Sequence, residues 1–160
     1  MNNALVKTYF PHLRLAALAG RAGGTTRASA IENAMLALSV MREESDATIV
    51  ETIGAMEGIL GAAPDGRIGK DVLQSLLTCA DQLVTLAAMF NYESLDQAAR
   101  SFCDLLEAFF ESGEGDAAPL VIHLRALHLM APGSEPLSGE SGSTVLEELA
   151  RLRHHYGATG

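Results

Sequence analysis

DVLQSLLTCADQLVTLAAMF, residues 71–90, is the stretch that decides the fold class. Its polar residues Asp71, Gln74, Ser75, Thr78, Asp81, Gln82 and Thr85 recur at helical spacing and draw one narrow stripe. The rest is apolar, far more than the third of a circumference that a surface helix needs. The spacing predicts a helix over 69–90 that runs through the middle of a bundle or lies in a subunit interface.

Working outward, Asn91-Tyr92-Glu93 should end that helix, and the capping-box spacing Ser94 to Gln97 should open the next. In residues 95–111, Leu95, Ala98, Ala99, Phe102, Leu105, Leu106, Phe109 and Phe110 form one apolar face. The short link predicts that 69–90 and 95–111 are an antiparallel central pair. Asp116 can cap a further helix with Pro119 in its first turn, ending at Pro132-Gly133. Residues 132–143, PGSEPLSGESGS, read as a mobile loop, and Thr144 to Glu147 opens the last helix.

Upstream, residues 1–28 are ambiguous: Pro11 interrupts one apolar run, and Gly20 to Thr26 reads as a connector without the GK[ST] of a P-loop. Ser29 to Glu32 has capping-box spacing and should start a helix whose inner face is Ile31, Ala34, Met35, Leu38 and Met41. A break is expected between Glu43 and Asp46. In the following helix, Gly54 and Gly58 sit one turn apart and suggest a close helix crossing. The expected architecture is all-α: a single domain over 1–160, a bundle of six or seven helices with essentially no sheet.

Composition narrows the function classes. The chain has 160 residues, 48% of them apolar, and a formal net charge of −9. Eleven basic residues against twenty acidic ones disfavour nucleic acid and anionic membrane surfaces as partners. No run of 18 apolar residues occurs, so no membrane span is expected. Cys79 and Cys103 both fall in helical patterns and read as small buried hydrophobes rather than a disulfide framework. Together with the absence of a signal-peptide pattern, this points to the cytoplasm.

Chemistry-bearing residues are sparse. His123 lies on a helix with Arg125 two residues on and His128 five on. An exposed histidine on a bundle helix is what phosphotransfer needs, but Leu124-Arg125-Ala126 follows it, not the Lys-Gly pair of histidine-phosphotransfer domains. His123 and His128 stand about 140° apart around the helix, so they do not make a metal pair. Arg151, Arg153, His154 and His155 form a basic cluster suited to their own helix terminus. No cofactor or metal site is expected.

The reading is a non-enzymatic cytoplasmic regulatory or protein-interaction module that acts through helix faces and forms a homodimer. Leu36, Val40, Ile122 and Leu129 are surplus to what one bundle needs to bury and are the candidate interface residues. The alternative is a phosphotransfer or phosphatase module of a bacterial signalling pathway, with His123 or Gln82 as the working side chain.

Overall fold

The computed structural model describes residues 26–62, 66–113, 115–135 and 139–158. These form five helices, α1 (Arg27–Gly61), α2 (Lys70–Met89), α3 (Glu93–Ser112), α4 (Ala117–Met130) and α5 (Gly139–His155), and two two-residue strands, β1 (Arg67–Ile68) and β2 (Gly115–Asp116). The all-α expectation holds, with five helices among the described residues rather than six or seven. Residues 1–25, most of the stretch read as ambiguous, lie outside them. The chain divides into two units, residues 1–40 and Met41–Gly160, with the boundary inside α1.

One reason for the lower count is that α1 has no break. Arg42, Glu43 and Glu44 are strong helix formers, and neither Gly nor Pro interrupts them. Ser45 Oγ donates to the Met41 carbonyl (2.7 Å) and Thr48 Oγ1 to that of Glu44 (2.8 Å). These hydroxyls bond back within the helix instead of capping a new one. The start also moves: Thr26 Oγ1 accepts the Ser29 N–H (3.2 Å), so Thr26 takes the place expected for Ser29.

The first unit is described only for 26–40, the opening turns of α1. Ile31, Met35 and Leu38 were expected on an inner face, yet all three are exposed. Met41, the next residue of that expected face, is exposed as well.

In the second unit, the rest of α1 buries Ile49, Thr52, Ile53, Met56 and Leu60, a stripe at helical spacing. Tyr92 Oη donates to Asp46 at 2.6 Å, and the Arg42 guanidinium lies over the Phe90 and Tyr92 rings. A Cβ at Gly54 or Gly58 would meet nothing within 4 Å, so among the described residues the close crossing expected there does not occur.

The central helix is α3, not α2. It packs against α2, α4 and α5 and buries Leu95, Ala98, Ala99, Ser101, Phe102, Leu105, Leu106 and Phe109. By contrast, α2 buries one stripe, Leu73, Leu76, Ala80, Leu83 and Ala87, while Val72, Leu77, Val84 and Leu86 are half-buried at its flanks. Apolar count alone overstated its burial, because half-covered Leu and Val flanks are normal beside a core. Length and composition would let α2 cross a membrane, contrary to the sequence reading, but its buried stripe is part of this core.

Asn91 ends α2 in the left-handed region (φ 58°), with the Tyr92 N–H bonding the Ala87 carbonyl at 2.9 Å. Gly113 (φ 79°) does the same for α3. No side chain caps α3 at Tyr92, so the Ser94 to Gln97 box is not used. The Asp116 carboxylate accepts the Ala118 N–H (3.0 Å) and caps α4 as expected. Helix α5 starts at Gly139, which takes Gly139–Ser143 out of the segment read as loop, and Gly142 is buried. Thr144 Oγ1 donates to the Glu140 carbonyl within that helix (2.9 Å) instead of capping it.

The strand pair ties the two ends of the α2–α3 unit together, antiparallel, with Arg67 opposite Asp116 and Ile68 opposite Gly115. A Cβ at Gly115 would stand 3.3 Å from both Ile68 Cβ and Leu73 Cδ2. Gly115→Val should therefore destabilise by about 1–3 kcal/mol, as overpacking does. Chemical denaturation checks this, and an unchanged midpoint would mean the bridge yields freely.

Candidate interaction surface

His123, the foremost candidate for chemistry, is wholly buried. Its Nδ1 lies 2.9 Å from the Pro119 carbonyl, and its Nε2 lies 3.2 Å from Ser101 Oγ. A carbonyl only accepts, so Nδ1 carries the proton and Nε2 accepts from the serine hydroxyl. The ring centroid is 5.9 Å from that of Phe102. Burial holds the imidazole below its ordinary value, the Pro119 hydrogen bond works the other way, and the Arg153 charge adds to the lowering. A phosphoryl acceptor needs a free nitrogen facing solvent. His123 has neither, and the Ser101–His123 pair is likewise sealed inside the α3–α4 contact. Its role is to pin α4 to α3.

Several other polar candidates are engaged. Cys103 Sγ lies 3.9 Å from Asp81 Oδ1 across the α2–α3 contact. Burial, together with the Asp81, Glu107 and Asp104 carboxylates, pushes its thiol up to about 12, which makes it a poor nucleophile. In the basic cluster, Arg153 pairs with Asp104 of α3 and Arg151 with Glu148 of its own helix. Gln82 is exposed on α2 beside Asp81. Among the described residues, no three His, Cys, Asp or Glu side chains come together as a metal site.

What the surface does offer is apolar. The four candidate interface residues are all exposed: Leu36 65%, Val40 47%, Ile122 48% and Leu129 50%. They fall in two places. Ile122 and Leu129 line a groove of about 320 Å³ between α4 and α5, whose floor includes Ala126, Val145 and Leu149. Arg125 and Glu148 border it. Leu36 and Val40 lie on the opening turns of α1 with Ile31, Met35 and Leu38, all of them exposed.

Sequence reasoning missed that Ile31, Met35 and Leu38 belong to this surface. The available signal was charge: residues 28–41 hold one charged side chain, Glu32, and apolar residues on every side of the helix. A helix apolar all round has no wet face to turn outward. Arg125, read only as a neighbour of His123, stands instead at the rim of the groove.

No family model matches this chain, no curated protein matches it, and no solved structure matches its fold.

Proposed function

We propose that this chain is a non-enzymatic regulatory or protein-interaction module that works through helix faces and self-associates as a homodimer. The observation that carries the reading is the exposed apolar opening of α1. Six large apolar side chains between Ile31 and Met41 are 47–66% exposed. Together they leave on the order of 500 Å² of apolar surface per copy, at the upper end of what a monomer shows. Two copies together reach about 1,000 Å², where specific interfaces begin.

Its acidic character supports a protein partner over nucleic acid, and its two free cysteines suit a cytoplasmic setting. The supporting frame is the α2–α3 hairpin. Its short link at residues 90–92 and the Asp81–Cys103 contact, nearly equidistant from that link, support an antiparallel central pair within a larger helical bundle.

Light scattering at micromolar concentration should report a dimer. Leu36→Asp should shift it to monomer with unchanged helical circular dichroism, because Leu36 supports no core. A monomeric wild type would overturn the reading.

A further inference from the structure

We infer that the opening half of α1 in one copy seats in the α4–α5 groove of a second copy, with Glu32 of the one against Arg125 of the other, and that the exchange is reciprocal. This rests on the self-association reading and names its two faces.

The two surfaces match in apolar character and in charge. On α1, Ile31, Met35 and Leu36 surround Glu32 in one stripe at spacings of three and four residues, the sole charge within 28–41. On α4, Ile122, Ala126 and Leu129 flank Arg125 with the same spacing. One is an exposed apolar helix face, and the other is a channel between two helices, the geometry into which an apolar helix lies. Each carries one charge, and the signs are opposite. Among the described residues, neither Glu32 nor Arg125 has an ion pair. Glu148, the other charge at the groove, is already held by Arg151 at 2.6 Å and does not compete for Arg125.

Two different patches joined head to tail form open chains unless the exchange closes. A reciprocal exchange closes it at two copies, with two identical Glu32–Arg125 contacts. Ile31, Met35 and Leu36 of α1 and Ile122 and Leu129 of α4 then fall in one interface.

The experiment uses the full chain, with Glu32→Arg and Arg125→Glu as separate variants. Sedimentation equilibrium in low salt gives the dissociation constant of each alone and of their equimolar mixture. Both positions are exposed, so thermal unfolding at concentrations too low for association should not move.

Each variant alone places like charges in both contacts of its homodimer and should dimerise about tenfold more weakly. In the mixture, the two substitutions face each other at one contact, where they restore an opposite-charge pair with its signs exchanged. The second contact joins the unaltered Glu32 of the Arg125→Glu copy to the unaltered Arg125 of the Glu32→Arg copy, as in wild type. The heterodimer should therefore recover wild-type affinity. In high salt the variant homodimers should approach wild type as their repulsion is screened.

Variants that dimerise like wild type, or a mixture that stays weak, would overturn the pairing while leaving self-association in place. A wild type that is monomeric removes both readings, so the two failures are distinct.

Discussion

Phe102→Ala should cost about 3–5 kcal/mol of unfolding free energy, the range for truncating a buried aromatic. Phe102 has no exposed surface, sits mid-way along the helix that α2, α4 and α5 all contact, and carries the His123 ring on its side. Little is near enough to refill the space without moving one of those helices. Domains of this size are stable by roughly 5–15 kcal/mol, so the variant should be close to marginal at 37 °C. Urea denaturation followed by circular dichroism measures it. Met35→Ala, on the exposed opening of α1, is the control and should stay within about 0.5 kcal/mol of wild type at concentrations too low for association. A loss below 1 kcal/mol for Phe102→Ala would mean that α3 is not the centre of the core.

His123→Ala should cost about 2–4 kcal/mol at pH 7.5, from the lost packing against Phe102 and from a Ser101 hydroxyl left without its acceptor in a buried site. The cost should also depend on pH. The folded imidazole titrates below its ordinary value of 6.5, chiefly because it is buried. As pH falls through 6.5 the unfolded chain takes up a proton at this position and the folded chain does not. Protonation therefore favours unfolding, and the stability His123 contributes at pH 7.5 is lost progressively as pH drops from about 6.5 toward the folded value. The difference between wild type and His123→Ala should narrow from pH 7.5 to pH 5. A constant difference over that interval would mean that the folded imidazole titrates as the unfolded one does and therefore reaches solvent. Such a result would return His123 to consideration as a chemical group.

Parts of the architecture were legible because they rest on local rules. The apolar face read over 95–111 is the buried face of α3 from Leu95 to Phe109; only its last member, Phe110, stands partly outside, under the Lys70 ammonium. Asp116 and Pro119 marked the start of α4 correctly, since a carboxylate capping the next turn and a proline in the first turn need nothing from the rest of the chain. The capping boxes at Ser29 and Ser94 and the helix start at Thr144 failed for the opposite reason. A hydroxyl followed three residues later by an acid or amide is equally content inside a helix, where it bonds the carbonyl one turn back, as Thr144 does.

The candidate site was legible in part. Leu36, Val40, Ile122 and Leu129 were picked out as surplus to one bundle, and they are exposed. Their neighbours Ile31, Met35 and Leu38 were assigned inward, because periodicity shows which residues share a face and says nothing about whether that face is covered. His123 was judged by the chemistry its side chain can do, while its fate was set by Ser101, on another helix.

The sequence by itself determined that the chain is helical, where α2, α3 and α4 begin and end to within about two residues, and which side chains lie together on each helix. Those properties depend on backbone propensity, 3.6-residue spacing and terminators such as Gly113 and Pro132, all acting within a few residues. Only the tertiary structure decided that α3 rather than α2 is the centre, that Gly115 is pressed against Ile68, that His123 is sealed, and that the apolar side chains of the opening of α1 are exposed. Each of these turns on packing beyond the reach of a local rule, and burial, which sets both stability and reactivity, is a property of the neighbours as much as of the residue.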